Sequence, residues 1–223
     1  MAPRTVADVE TVEQRARNYL ELIRRQQPHG PYALAGFCAG GRVAYEMAQQ
    51  LISDGEDVAF LGMVNCWFPR FPEGRVMKTR FKVQRLLHQL AAAKRNRVGI
   101  LGYAVNKLRD RRSARAERER VAASRREVHE RGFDQGDMLH NQVLLDTTVE
   151  VFERYEPARY PGSITLFVSS EDDELGGITP DLDPRLAWAA SAAECETRVF
   201  PGGHLAVVEM PHAVHFAAAM QEA

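Results

Sequence analysis

Cysteine is scarce in this sequence, and the three present, Cys38, Cys66 and Cys195, have no paired spacing. An odd, scattered set excludes a disulfide framework and fits a reducing cytoplasm. Long apolar runs are missing as well. No stretch approaches the roughly 20 residues of a membrane span, and the opening Met-Ala-Pro-Arg-Thr-Val-Ala-Asp-Val-Glu lacks the apolar core of a signal peptide. The expectation is a soluble, cytoplasmic protein with no membrane partner. There is no internal repeat, no low-complexity tract and no recognisable nucleic-acid-binding motif. Net charge is only −1. What is present is a 223-residue chain, 45% hydrophobic, long enough for one sizeable core without a second domain.

The most informative stretch is 32–50. A short apolar strand, Tyr32 to Ala35, runs into Gly36-Phe37-Cys38-Ala39-Gly40-Gly41, and a helix follows with Val43, Met47 and Leu51 at i, i+4 and i+8. Strand, sharp small-residue turn and helix are the setting in which G-x-S-x-G means a nucleophile elbow, here with Cys for Ser. A thiol at that turn sits at a helix N-terminus, where the helix dipole favours the thiolate. A small buried core cysteine is the competing reading of the hexapeptide alone; the flanking strand and helix favour the elbow.

Around this stretch the chain alternates helix and strand. Residues 6–26 read as an amphipathic helix stopped by Pro28-His29-Gly30-Pro31, and Gly55 sits at the expected end of the helix after the elbow. Val58 to Val64, Ser163 to Val168 and Thr197 to Phe200 read as further buried strands. Helical pattern covers Met138 to Tyr155 and resumes near Pro211. Between Arg75 and Arg131, 18 Lys/Arg stand against 5 Asp/Glu, with stripes such as Phe81, Leu86, Leu87 and Leu90. These are amphipathic helices with basic faces: solvated faces in the plainer reading, a docking surface for an acidic partner or phosphate-bearing ligand in the functional one. The expected fold is α/β, an α/β-hydrolase-like parallel sheet forming one domain over 1–223, with 67–145 inserted as a helical lid.

Three chemically capable residues fall at predicted strand ends, where open α/β sheets place their sites. Cys38 follows the first strand, Asn65 the second and His204 the fourth. Their order, nucleophile, orienter, base, is that of the hydrolase fold. The acidic run Glu171-Asp172-Asp173 after the third strand offers Asp172 as an alternative acid. Cys66 and Cys195 read as structural.

The stretches Tyr19-Leu20 to Glu46, Tyr155-Glu156-Pro157 with Tyr160-Pro161-Gly162-Ser163-Ile164-Thr165-Leu166-Phe167, and Pro201-Gly202-Gly203-His204 with Pro211-His212 resemble the thioesterase domains that end nonribosomal peptide and polyketide synthases. The resemblance implies release of an acyl or peptidyl chain from the phosphopantetheine arm of a carrier protein, to water or to an internal nucleophile. It implies Cys38 as nucleophile, His204 as base, Asn65 as the group that orients His204, and the Ala39 amide as an oxyanion donor. No metal and no bound cofactor are implied. Acyl transfer to an external amine or alcohol would use the same residues; a non-catalytic fragment or carrier-docking module is the reading of a different class.

Two departures from the family pattern stand out. Most members carry Ser where Cys38 stands and often Asp where Asn65 stands. The two changes fit together, because a Cys–His pair needs only an amide to steady the imidazole. Some related domains with Cys close four-membered lactams or lactones. The other departure is that the strands normally preceding the elbow strand, one of which supplies the second oxyanion amide, are apparently missing. The elbow strand is then expected to have an open apolar edge unless a longer chain or a partner covers it.

Overall fold

The computed structural model describes residues 9–69, 71, 75–95, 147–171, 180–205 and 207–221. Contacts divide the chain into two units, Met1–Glu10 with Leu86–Glu153 and Thr11–Arg85 with Arg154–Ala223. The sheet and all candidate site residues that are described lie in the second.

Helix α1 (Val12–Arg24) begins later than the apolar periodicity suggests, because Thr11 caps it. Gln14 donates its main-chain N–H to Thr11 Oγ1 at 3.2 Å, and Thr11 donates its own to Gln14 Oε1 at 2.9 Å, a reciprocal capping box. Val12, Ala16 and Leu20 are its buried stripe.

Strand β1 (Tyr32–Phe37) leads through Cys38 into α2 (Ala39–Ser53), and β2 (Val58–Val64) returns alongside β1. β3 (Tyr160–Ser169) and β4 (Ala192–Phe200) complete a four-stranded, wholly parallel sheet in the order β1-β2-β3-β4. Among the described strands β1 is therefore an edge strand, as expected. Both β3 and β4 are longer than their apolar cores suggest. β3 starts at Tyr160, passes Pro161 and Gly162 through a shift in register, and only then enters the apolar run. β4 sits at the far edge, where exposed Glu194 and Glu196 are compatible with a strand and blunt the edge.

Side chains alternate across the sheet. Val64, Phe167 and Phe200 form one buried layer, against which Phe216, Ala219 and Met220 of helix α4 (His212–Gln221) pack. On the other face Leu34, Leu61, Met63, Ile164 and Leu166 are buried, and α2 lies against β1 and β2. Tyr45 of α2 reaches Tyr160 and Trp188, the latter in a 3-10 turn at Leu186–Ser191 that the sequence pattern did not reveal. The Tyr45 hydroxyl receives the Tyr160 N–H at 3.1 Å and lies 2.6 Å from the Ser191 carbonyl, so this buried phenol is satisfied.

Of the expected lid at 67–145, helix α3 (Arg75–Arg95) is described, and 96–145 lies outside the described residues. The helix expected over 138–155 is described from 147 to 153 and stops before Pro157. No helix of the described residues is long and apolar enough to cross a membrane.

Candidate active site

Cys38 occupies the turn between β1 and α2 with φ 52° and ψ −125°, a conformation that is costly for a residue with a Cβ. Neighbours on both sides hold it there. Its N–H donates to the Val64 carbonyl at 2.8 Å, and its carbonyl receives the Gly41 N–H at 3.0 Å. The flanking glycines are required by close approach. A Cβ on Gly36 would land on the Gly40 carbonyl, and one on Gly41 would come within 2.7 Å of the Cys66 side chain. Strand and helix are thereby drawn together behind an outward-pointing thiol.

The electrostatics of that thiol favour its ionised form. A hydrogen bond with the His204 side chain is the main cause that pulls the Cys38 pKa below the ordinary thiol value. Partial burial opposes it, while the charge on His204, the Ala39 N–H and the Arg42 guanidinium add to the lowering. Arg42, buried in the first turn of α2, is fixed by donating Nε and Nη2 to the Trp67 carbonyl at 3.2 and 3.1 Å. Cys66 is the opposite case. It is fully buried, and desolvation pushes its thiol up to about 12. The two thiols are shifted in opposite directions, one towards its ionised form and one away from it.

His204 follows β4 on the Gly202-Gly203 turn, which the Glu171 N–H ties to the end of β3 by a 3.0 Å bond to the Gly202 carbonyl. Its ring lies 5.0 Å, centroid to centroid, from that of Phe37 at the end of β1. Asn65, expected to orient the imidazole, is placed by the structure against the main chain of His204. Asn65, fully buried with φ 45°, donates Nδ2 to the main-chain carbonyl of His204 at 3.0 Å, while Oδ1 accepts the Ser169 N–H at 2.9 Å. Asn65 thus holds the loop that carries His204, through its main chain. The chemistry follows from the residue type, since an amide offers a donor to one carbonyl and an acceptor to one N–H at the same time.

Behind Asn65 stands a pair that sequence reasoning missed. Arg185 is buried and makes a two-pronged ion pair with Asp183, Nη2 to Oδ2 at 2.7 Å and Nε to Oδ1 at 3.0 Å. Its remaining prong, Nη1, donates to the Ser169 carbonyl at 2.9 Å and reaches Ser169 Oγ at 3.2 Å. The Asp-Pro-Arg tripeptide at 183–185 carries no motif that would have singled it out. Asp172 lies outside the described residues. Among the described residues no group of three or more His, Cys, Asp or Glu could hold a metal ion.

A cysteine on a strained strand–helix turn, with a histidine following a parallel strand, has the strand–turn–helix setting of a nucleophile elbow. The chain belongs to the thioesterase domain family, whose model matches residues 2–222. The NocB thioesterase domain of the nocardicin cluster is 21% identical and superposes with a TM-score of 0.54 over 100% of this chain and 76% of that one. RedJ, a thioesterase of the prodiginine pathway in Streptomyces coelicolor, is 18% identical, TM-score 0.55, over 95% and 70%. At these identities the likeness is one of fold. In sequence, the chain is 54% identical over 56 residues to the nonribosomal peptide synthetase apvA of Aspergillus terreus, and 44% over 59 residues to the non-reducing polyketide synthase pks27 of Aspergillus flavus. These matches cover 25% and 26% of this chain and 6% and 3% of those much longer proteins.

Proposed function

We propose that the chain releases an acyl or peptidyl group from the phosphopantetheine arm of a carrier protein through a Cys38 thioester. The observation that carries this reading is the strained strand–helix turn that holds Cys38, a thiol whose pKa is lowered chiefly by the His204 side chain, the Ala39 N–H adding to the lowering.

The Cys38 thiolate adds to the carrier-bound thioester carbonyl, and the oxygen that gains charge meets the Ala39 N–H. One such donor is worth about 3 kcal/mol in a complete oxyanion site. Collapse expels the pantetheine thiolate, which takes the proton held on His204. Thiol replaces thiol, so this half-reaction is nearly balanced in bond energy. His204 then removes a proton from water, or from an amine or hydroxyl of the acyl chain itself, as that group attacks the acyl-Cys38 carbonyl. Cys38 leaves, taking back the proton. A thioester is more reactive towards amines than an oxyester, which suits a hindered internal nucleophile and makes ring closure an available outcome beside hydrolysis.

The exposed Arg75, Lys78, Lys82 and Arg85 of α3 support an acidic carrier protein as the partner. The test is turnover of an acyl-pantetheine thioester with product analysis, comparing the native chain with His204→Ala. Free acid or lactam formed by the native chain, and a fall of at least about 10³-fold in the variant, is the expected result. Product appearing only when an external amine or alcohol is supplied would make the chain an acyltransferase. No turnover by folded protein would make it a docking module.

A further inference from the structure

Arg185 and Asp183 are a buried ion pair, their side chains only 7% and 12% exposed. Such a pair is an expensive way to gain stability, since desolvating two charges offsets most of their attraction. The geometry points instead to a task. Asp183 grips Arg185 at Nε and Nη2 and also accepts the Arg185 main-chain N–H at 2.8 Å, which leaves Nη1 aimed in one fixed direction. Nη1 lands on the end of β3, at the Ser169 carbonyl and hydroxyl, and lies 3.5 Å from Asn65 Oδ1. Asn65 Oδ1 is held by the Ser169 N–H, and Asn65 Nδ2 holds the His204 carbonyl. The Pro184 carbonyl, between the two charged residues, receives the Phe68 N–H at 2.9 Å and so ties the pair to the segment following Asn65.

We propose that Arg185, clamped by Asp183, is a positioning residue that sets the orientation of Asn65 and through it the loop carrying His204. The cation supplies a donor to the Oδ1 side of the Asn65 amide. The amide therefore cannot flip, because Oδ1 must face Ser169 and Arg185 and Nδ2 must face the His204 carbonyl. The contacts of Arg185 lie with Asp183, Ser169 and Asn65. Its contribution is to the distance and angle at which His204 meets the thiol, a quantity on which acyl-transfer rates depend steeply.

The proposal rests on the acyl-Cys38 reading, and its test uses a readout that does not. In Asp183→Leu with Arg185→Met an apolar pair replaces the ion pair, a change that keeps or raises stability in comparable sites. The rate of alkylation by iodoacetamide, followed on the Cys38 peptide across pH, reports the Cys38–His204 pairing directly. Among the described residues, the charged or titratable groups that act on Cys38 include His204, Arg42 and Cys66, none of which is altered. The expected result is a folded variant whose alkylation profile moves to higher pH and whose thioester kcat falls about 10² fold with KM little changed. Arg185→Lys keeps the cation but not the fork, so it should fold and fall between the two; it decides the matter should the double variant fail to fold. A folded variant with the native alkylation profile and native kcat overturns the proposal. A native chain that shows no thioester turnover, yet whose alkylation profile shifts in the variant, leaves Arg185 in its role and removes the thioesterase reading instead.

Discussion

At the scale of single residues, the site turns on what each side chain can donate or accept. Cys38 and Cys66 each follow a parallel strand and differ in environment. Cys38 is lowered chiefly by its histidine partner, whereas at Cys66 burial outweighs the opposing influence of Arg42 and Trp188. Asn65 illustrates how an amide can be required where related domains often carry an acid. Its Nδ2 faces a carbonyl oxygen and its Oδ1 faces two donors. Asn65→Asp would keep the second set and place a carboxylate oxygen against the His204 carbonyl. The expected outcome is a thermal midpoint lower by several degrees, from about 1–3 kcal/mol of unfavourable burial, together with a thioester kcat reduced about 10-fold or more. Calorimetry and steady-state kinetics check both. An Asn65→Asp variant with higher activity would mean that the acid turns to the imidazole ring and that the loop contact is dispensable.

At the scale of elements, the logic of the elbow is legible in the sequence. Small residues at 36, 39, 40 and 41, an apolar strand before and an i, i+4, i+8 stripe after announced a tight strand–helix turn, and the glycines are where the backbones nearly touch. Gly36→Ala should force strand and helix apart by the width of a methyl group. We expect a loss of about 1–3 kcal/mol, a Tm lowered by about 2–12 °C, and loss of the Cys38 alkylation advantage over a free thiol. Unchanged stability would mean that the turn is looser than its geometry. Other elements were less legible for physical reasons. Strand β4 was read only at Thr197–Phe200 because its first half, Ala-Ala-Glu-Cys-Glu, lacks the alternation of a half-buried strand, being an edge. The Leu186–Ser191 turn escaped notice because its single anchor, Trp188, packs against Tyr45 and Phe68, which are distant in sequence.

At the scale of the whole molecule, alternating helices and apolar strands announced a parallel sheet, and the sheet is parallel throughout. It brings the ends of β1, β2, β3 and β4 to one edge, so that Cys38, Asn65, Ser169 and His204 converge from four separate stretches of chain. Order along the chain and position at strand ends were enough to nominate three of these. The fourth, Ser169, and the Arg185–Asp183 pair behind it were invisible, because buried polar partners are chosen by three-dimensional neighbours and leave no periodicity. The same limit applies to Asn65: its place in the sequence predicted that it would reach His204, and only the structure shows that it does so at the main chain.

Whether Cys38 carries the acyl group is read by intact-protein mass spectrometry after brief exposure to an acyl-pantetheine thioester. The expected result is a mass increase equal to one acyl group, located on the Cys38 peptide, absent in Cys38→Ala and long-lived in His204→Ala once formed. Well-folded native protein that gains no mass and turns over no substrate, or an adduct that persists in Cys38→Ala, would contradict it.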